Sequence, residues 1–364
     1  MKSLIYELFS GVGFCNQLFS LETAIYLANI SNRKLILLIR NPLCHCGRAS
    51  WDYGRFLDFF SDDYKEFLPH GLDVYYGELP SDICRILNDA NKCYHINYVD
   101  RFSRIAIVDK DLDNSGNSND IKSFLGERVK SNININDYND EYIFINQSNA
   151  SRCFYNFYTT PDNYRLMSKI CSSLTKLHSS FYSVFNSINL PKEYISIHFR
   201  FGDVKHDTCT INNNSEKYYE PLTNIINDIN SNYSKKLPII VMCDRGDADL
   251  LIKIKNDYDV ILTTDLIKEI DYSHISINSK RTEVLEFLIQ KLISDKSDTF
   301  IGHDGSTVSN YINYMHYLLD KPYYYYLDKK IQYSVDNYTW TNNNYLRNNI
   351  GWRAFFSDNI YKHM

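Results

Sequence analysis

The run YISIHFRFGDVKHD, residues 194–207, places an imidazole, a guanidinium and a carboxylate close together: His198, Arg200 and Asp203. A buried strand needs none of them for packing. A guanidinium offers a planar fork of donors suited to phosphate oxygens, and an imidazole can donate beside it. A second stretch, GHDGSTVS at 302–309, joins an apolar run to a helical pattern and supplies the hydroxyls of Ser306, Thr307 and Ser309. The first turn of a helix carries unpaired N–H groups, so small hydroxyl residues there make a ready phosphate site. Asp244, in MCDRGD, closes a third apolar run. Taken singly, a Ser/Thr pair before a helix is ordinarily an N-cap, and His-x-Arg on a strand is ordinarily an edge ion pair. Three such features at strand ends of one sheet support one another, and the chemistry they suggest is the holding of a diphosphate.

The elements that must position them follow from periodicity. SLIYELF (3–9) reads as a buried strand, SGVGF as a glycine loop, and the stretch after it as a helix through Leu18, Leu21, Ile25 and Ala28, with KLILLI (34–39) as the next strand. Strand, glycine loop, helix, strand is the opening of a Rossmann-like half. The loop lacks the third glycine of a dinucleotide fingerprint, so it gives NAD no support. Residues 161–187 carry a helical pattern with Leu166, Ile170, Leu174 and Leu177 on one face. From 194 the alternation resumes. YISIHF, LPIIVMCD (237–244), YDVILTT (258–264) and DTFIGH are strands. RTEVLEFLIQKLISD (281–295) is a helix with Val284, Leu285, Leu288, Leu292 and Ile293 inward, and STVSNYINYMHYLL is a helix with Val308, Ile312, Met315 and Leu319 inward. That is a second Rossmann-like half, and in such sheets ligands bind outside the carboxyl ends of the strands. The polar stretch KDLDNSGNSNDIKSF (110–124) reads as a loop or insertion.

With 364 residues the chain is too long for one ordinary core. The expected division is 1–187, 188–330, and a Tyr- and Asn-rich tail, 331–364, packing back on the first domain. A net charge of −5 and the lack of any dense basic run leave nucleic acid without an electrostatic footprint. No apolar run approaches the roughly 20 residues of a membrane span, and the amino terminus, with Glu7 and two glycines, is a poor signal peptide. The nine cysteines are scattered and odd in number, which suits reduced thiols. Cys44, His45 and Cys46 suggest a metal, but neighbouring residues cannot easily point at one ion and no second ligand pair follows at finger spacing. These features point to the cytoplasm.

HFRFGD resembles the H-x-R-x-x-D signature of the superfamily of α1,2-, α1,6- and protein O-fucosyltransferases. The stretch GVGFCNQLFSLETAIYLANISNRKLIL resembles that family's amino-terminal G-x-x-N-Q helix and following strand, and SDTFIGHDGSTVSNYI its third motif. The three occur in the family's order, at both ends of the chain. The resemblance implies an α/β GT-B fold, two Rossmann-like domains facing a cleft, with GDP-fucose as donor substrate held mostly by the second. It implies an inverting transfer that needs no metal and no other cofactor. By position, Arg200 would bind the β-phosphate, His198 would help fix the donor, and Ser306, Thr307 and Ser309 would hold the diphosphate. Gly13, Asn16 and Gln17 would line the acceptor side. Phe201 stands where many members carry a second arginine. Asp203 and Asp207 are the nearest carboxylates for an acceptor base, Asp207 preceding Thr208, which holds the place of a carboxylate implicated in the α1,6 branch. Guanine, with N1–H and N2–H to satisfy, calls for a carboxylate, and Asp244 and Glu286 are the two on offer. The expected partners are a nucleotide sugar and a glycan or protein acceptor. A same-fold transferase using GDP-mannose, and a non-enzymatic glycan- or partner-binding protein on this fold, are the alternatives.

Overall fold

A computed structural model describes residues 1–8, 13–43, 50–96, 104–108, 129–133, 135–146, 155–157, 161–201, 215–303, 306–319 and 321–325. Cys44–Cys46, the stretch 110–124, Asp203, Asp207 and the tail 331–364 lie outside the described residues. The chain divides into two compact units, one of the described residues of 1–178 with 277–281, the other of those of 179–276 with the described residues from 282 on.

In the first unit the strands are β1 (Ser3–Glu7), β2 (Lys34–Ile39), β3 (Leu72–Tyr76), β4 (Cys93–His95), β5 (Arg104–Val108), β6 (Val129–Ile133), β7 (Tyr142–Ile145) and β8 (Tyr155–Phe157). Five of them form one sheet in the order β3-β2-β1-β7-β4, every pair parallel, with Ile5 opposite Ile36 on one side and Phe144 on the other. A parallel sheet is covered on both faces and so reads as an unbroken apolar run. All five residues of β1 are accordingly buried. Helix α1 (Phe14–Ile30) is buried along nearly its whole length. The remaining strands make a small parallel sheet, β6-β5-β8. Between β2 and β3 come three short 3₁₀ turns, Trp51–Tyr53, Phe56–Phe59 and Asp62–Phe67; the rings of Phe56, Phe59 and the following Phe60 surround Phe14 at 5.0, 5.9 and 5.8 Å. Helices α2 (Ser81–Leu87) and α3 (Pro161–Thr175) complete the unit.

The expected helix over 161–187 is interrupted. It ends at Thr175, and Leu177 pairs antiparallel with Phe60. The chain is held straight there by Ser61 N–H to Lys176 O at 2.8 Å and His178 N–H to Phe59 O at 2.9 Å. Periodicity across the gap was carried by Leu177, which is buried by that bridge and not by a helix face.

The second unit runs α4 (Ser179–Phe185), β9 (Ile195–Phe199), α5 (Ser215–Ser231), β10 (Ile239–Cys243), α6 (Asp249–Asp257), β11 (Val260–Leu262), α7 (Thr263–Ile267), α8 (Glu283–Lys296), β12 (Thr299–Gly302), α9 (Thr307–Leu318) and β13 (Tyr323–Tyr325). Its sheet has the order β11-β10-β9-β12-β13, all parallel. In the unit's own count this is 3-2-1-4-5, the doubly wound order, and the direction of winding reverses beside β9. The mixed α/β architecture with two Rossmann-like sheets is thus present. Thr263 and Thr264 begin a short helix and do not extend β11. Leu319 lies past the end of α9 and is exposed, while Ile312 and Met315 face inward as expected.

Alternate residues of β9 face opposite sides of the sheet. Ile195, Ile197 and Phe199 join an apolar cluster with Leu222 and Ile226 of α5 and Leu250 and Leu251 of α6. Ser196 and His198 face the other way, into a buried polar seam. Ser196 donates to Ser294 Oγ of α8 at 2.9 Å, and His316 Nε2 lies 3.1 Å from Ser294 O. Lys291 and Asp295, both nearly enclosed, pair at 2.5 Å. Buried polar groups are ordinarily partnered, so this seam ties α8 and α9 to one face of the sheet by specific geometry, where the opposite face packs on an apolar cluster.

Candidate functional site

The winding reversal in the second unit sits between β9 and β12, and the carboxyl ends of those strands are where a ligand has room. His198 is the penultimate residue of β9, and Arg200 follows directly after the strand, half-buried. On the neighbouring strand the register sets Ile301 opposite Ile197, so Gly302 and His303 arrive alongside His198 and its successors. The chain then enters α9. Ser306 occupies the cap position, buried, its N–H donating to His303 O at 3.1 Å and its carbonyl accepting from Asn310 N–H at 2.9 Å. Thr307 opens the helix, half-buried, and no acidic residue lies in the first turn. The positive end of α9 therefore has no carboxylate of its own helix to neutralise it, the electrostatic condition for holding an anion.

Ser309 is the hinge of the arrangement. Its Oγ lies 2.7 Å from His198 Nδ1 and accepts the His303 backbone N–H at 2.9 Å. The one hydroxyl thus ties the His198 ring to the backbone of the β12–α9 turn. Such close approach of α9 to β12 requires Gly302: a Cβ there would stand 2.8 Å from Ser309 Cβ and 2.9 Å from Phe300 Cε1. Burial, with the neighbouring His303 and Arg200 adding to it, pulls the His198 pKa down to about 3. The ring is a neutral hydrogen-bond donor across the physiological range, and the permanent cation at this strand end is Arg200.

A pH dependence follows. The folded state refuses a proton that the unfolded chain accepts, so His198 contributes stability above an ordinary pKa of 6.5 and loses it as pH falls toward about 3. The loss is about 1.4 kcal/mol per pH unit for one proton. His316, also held below its ordinary value by burial, acts in the same direction. Replacing His198 by Gln is expected to reduce the slope of unfolding free energy against pH by about one proton between pH 6 and 4. Equal slopes in the two proteins would contradict a buried neutral His198.

The remaining residues expected in the site are placed as follows. Asp244, after β10, accepts the Phe201 N–H on Oδ1 at 2.9 Å, and so fixes the turn by which the chain leaves β9 beside Arg200. Glu286 is in the first turns of α8, where it accepts from Thr282 Oγ1 at 3.1 Å. Because α8 returns the chain between parallel strands, that end of the helix lies toward the carboxyl edge. Gly13, Asn16 and Gln17 belong to the first unit. Gly13 precedes α1 and its carbonyl accepts the N–H groups of Asn16 and Gln17 at 2.9 and 3.2 Å. Gln17 is fully buried, Asn16 partly so. The first turn of α1 also lacks acidic residues and a side-chain cap. His303 and Gly302 were not singled out from sequence. Both stand in the GHDGSTVS stretch, directly after the buried strand, which is the signal that marks them.

These observations define a class: an α/β chain of two Rossmann-like units, the second with a cationic, donor-rich switch point at a helix amino terminus. No family model matches the chain, and no curated protein sequence matches it. Solved structures similar to it include POFUT1 in complex with GDP (TM-score 0.49, 10% identity, covering 89% of this chain and 98% of that one). Others are NodZ α-1,6-fucosyltransferase soaked with GDP-fucose (0.46, 15%, covering 86% and 92%) and fucosyltransferase NodZ from Bradyrhizobium (0.45, 16%, covering 86% and 94%).

Proposed function

We propose that the chain is an inverting, metal-independent glycosyltransferase of GT-B type that moves fucose from GDP-fucose to a hydroxyl of a glycan or protein, and that it works in the cytoplasm. The observation that supports this reading most is the convergence of Arg200, the neutral His198 and the amino terminus of α9 at one winding reversal, in the residues that carry the H-x-R-x-x-D and serine-turn resemblances. Among the described residues no helix is long and apolar enough to cross a membrane.

In this reading the acceptor oxygen attacks the anomeric carbon as the bond from that carbon to the β-phosphate oxygen breaks. GDP leaves with the electron pair. Arg200 and the α9 dipole meet the charge that grows on the leaving oxygen, the role a metal ion plays in other transferases. His198, neutral at physiological pH, helps to fix the donor without taking part in proton traffic. Ser306 and Thr307 present hydroxyl and backbone N–H groups to the diphosphate. Ser309, whose hydroxyl is engaged within the fold, acts through His198 by orienting it. Asp203 or Asp207 takes the acceptor proton. Asp244 and Glu286 are the carboxylates available to guanine, and Gly13, Asn16 and Gln17 serve the acceptor side.

The test is a thermal-shift panel of GDP, UDP, GDP-fucose, GDP-mannose and NAD, run with and without EDTA. GDP and GDP-fucose are expected to stabilise the fold by about 2.7 kcal/mol at one hundred times Kd, unchanged by EDTA. A response to UDP alone, or a shift abolished by EDTA, would remove this donor assignment. A stronger response to GDP-mannose than to GDP-fucose would replace the sugar and keep the nucleotide.

A further inference from the structure

The chain passes between its two units more than once. It leaves the first after His178, returns to it for Ile277–Arg281, and leaves again at Thr282. The returning segment is held on the 3₁₀ turn at Trp51–Tyr53. Lys280 N–H donates to Asp52 O at 2.7 Å. The Arg281 guanidinium lies 5.5 Å from the ring centroid of Tyr53, which is 1% exposed and so has no room to swing away. Gly54, at φ +99°, follows the turn, and a Cβ on it would stand 3.6 Å from both Asn278 O and Ser279 Cβ. The Lys280–Asp52 ion pair, 3.5 Å long and exposed, adds little.

Both flanks of the segment are fixed within the second unit. On one side Ile275 is buried, and its N–H donates to Tyr272 O at 3.0 Å. On the other, Thr282 is the cap residue of α8. Its carbonyl accepts Glu286 N–H at 2.8 Å, and its hydroxyl donates to Glu286 Oε1 at 3.1 Å. Arg281 and Thr282 are chain neighbours, their Cα atoms about 3.8 Å apart. The Tyr53 contact and the first turn of α8 are therefore joined with no spare residue between them. The segment itself is curled, with Ser279 N–H donating to Ile277 O at 2.7 Å and Ser279 Oγ to Arg281 O at 2.6 Å. Two elements joined by a connection without slack cannot loosen independently, and what stabilises either one is passed to the other reciprocally.

We infer that residues 277–281 are a strap that couples the Trp51–Gly54 turn of the first unit to the amino end of α8, so that order gained at one is passed to the other. The coupling stands on these contacts alone, whereas its use by a nucleotide held at Glu286 rests on the transferase reading above. The experiment is residue-resolved hydrogen exchange on the full chain and two variants, each read on the side opposite the change. Tyr53→Leu removes the ring under Arg281, and is read at the Glu286 amide, bonded to Thr282 O. Insertion of Gly-Ser-Gly-Ser between Arg281 and Thr282 slackens the strap, and is read at the Gly54 amide, bonded to Trp51 O at 3.0 Å. Each amide is expected to exchange about five-fold faster or more than in the natural chain. The Asn310 amide of α9, bonded to Ser306 O, is the control and should stay within about two-fold. An unchanged rate at either amide, or an equal rise at Asn310, would overturn the strap. Where Tyr53→Leu fails to fold, the insertion decides alone. GDP should slow Asn310 exchange in the natural chain and in the insertion variant, but slow Gly54 only in the natural chain. Equal slowing of Gly54 in both would overturn the strap's use by the nucleotide. GDP that slows neither amide would sink the nucleotide reading and leave the strap to be judged by the two variants.

Discussion

Replacing Arg200 by Ala is expected to lower kcat by about 10²–10³, with a smaller change in donor affinity. The guanidinium follows β9 at the switch point, where the end of α9 adds positive potential in the proposed step. A contact that strengthens as charge moves onto GDP acts on the transition state more than on the bound donor, so its loss appears in turnover. Removing one donor to a developing oxyanion costs about that much in enzymes where it has been measured. Arg200→Lys keeps the charge and loses the planar fork, and is expected to restore only part of the rate. Turnover per folded molecule and melting temperature, measured on the same Arg200→Lys preparation, separate a chemical role from a structural one. Normal turnover with a lowered melting temperature would take Arg200 out of the mechanism.

The second large effect is expected from a single methyl group. In Gly302→Ala the new Cβ would lie 2.8 Å from Ser309 Cβ and 3.1 Å from Ser309 Oγ. Neither partner can yield cheaply. Ser309 sits in α9 with no exposure, and its hydroxyl is held between His198 and the His303 amide. Moving α9 away from β12 breaks both bonds and shifts the helix terminus from the strand end. Overpacking of this kind costs about 1–3 kcal/mol, to be read from urea unfolding at unchanged m-value, and the GDP response should fall with it. Gly246→Ala is the matched control, since its Cβ would meet nothing nearer than Leu262 Cδ1 at 3.7 Å. Equal stability and equal GDP response in the two variants would show that the approach of α9 to β12 has no special part in the site.

The elements legible in the sequence were those whose burial is complete. β1, β2, β9, β10 and β12 are apolar runs because each lies within a parallel sheet covered on both faces, and α8 shows a full helical period because one side packs on that sheet. What escaped depends on partners distant in the chain. Leu177 continues the period of α3 but is buried through its bridge to Phe60. The 3₁₀ turns at 51–67 have neither a period of two nor of 3.6 residues, although they hold Phe56 and Phe59 in the core. In the site, residue types alone placed His198, Ser306 and Thr307 at strand and helix ends. Sequence could not show that Ser309 turns inward to His198, because that contact depends on the β9–β12 register and on the missing side chain of Gly302.

Fucosyl transfer is tested most directly by following GDP release from GDP-fucose in the presence of EDTA, with the full chain, its Arg200→Ala variant and a mixture of neutral oligosaccharide acceptors. Release that depends on the chain, on the acceptors and on Arg200, with a fucosylated product of the mass expected for one transfer, is the predicted result. GDP-fucose left intact while another nucleotide sugar is consumed, or release at the same rate by Arg200→Ala, would contradict it.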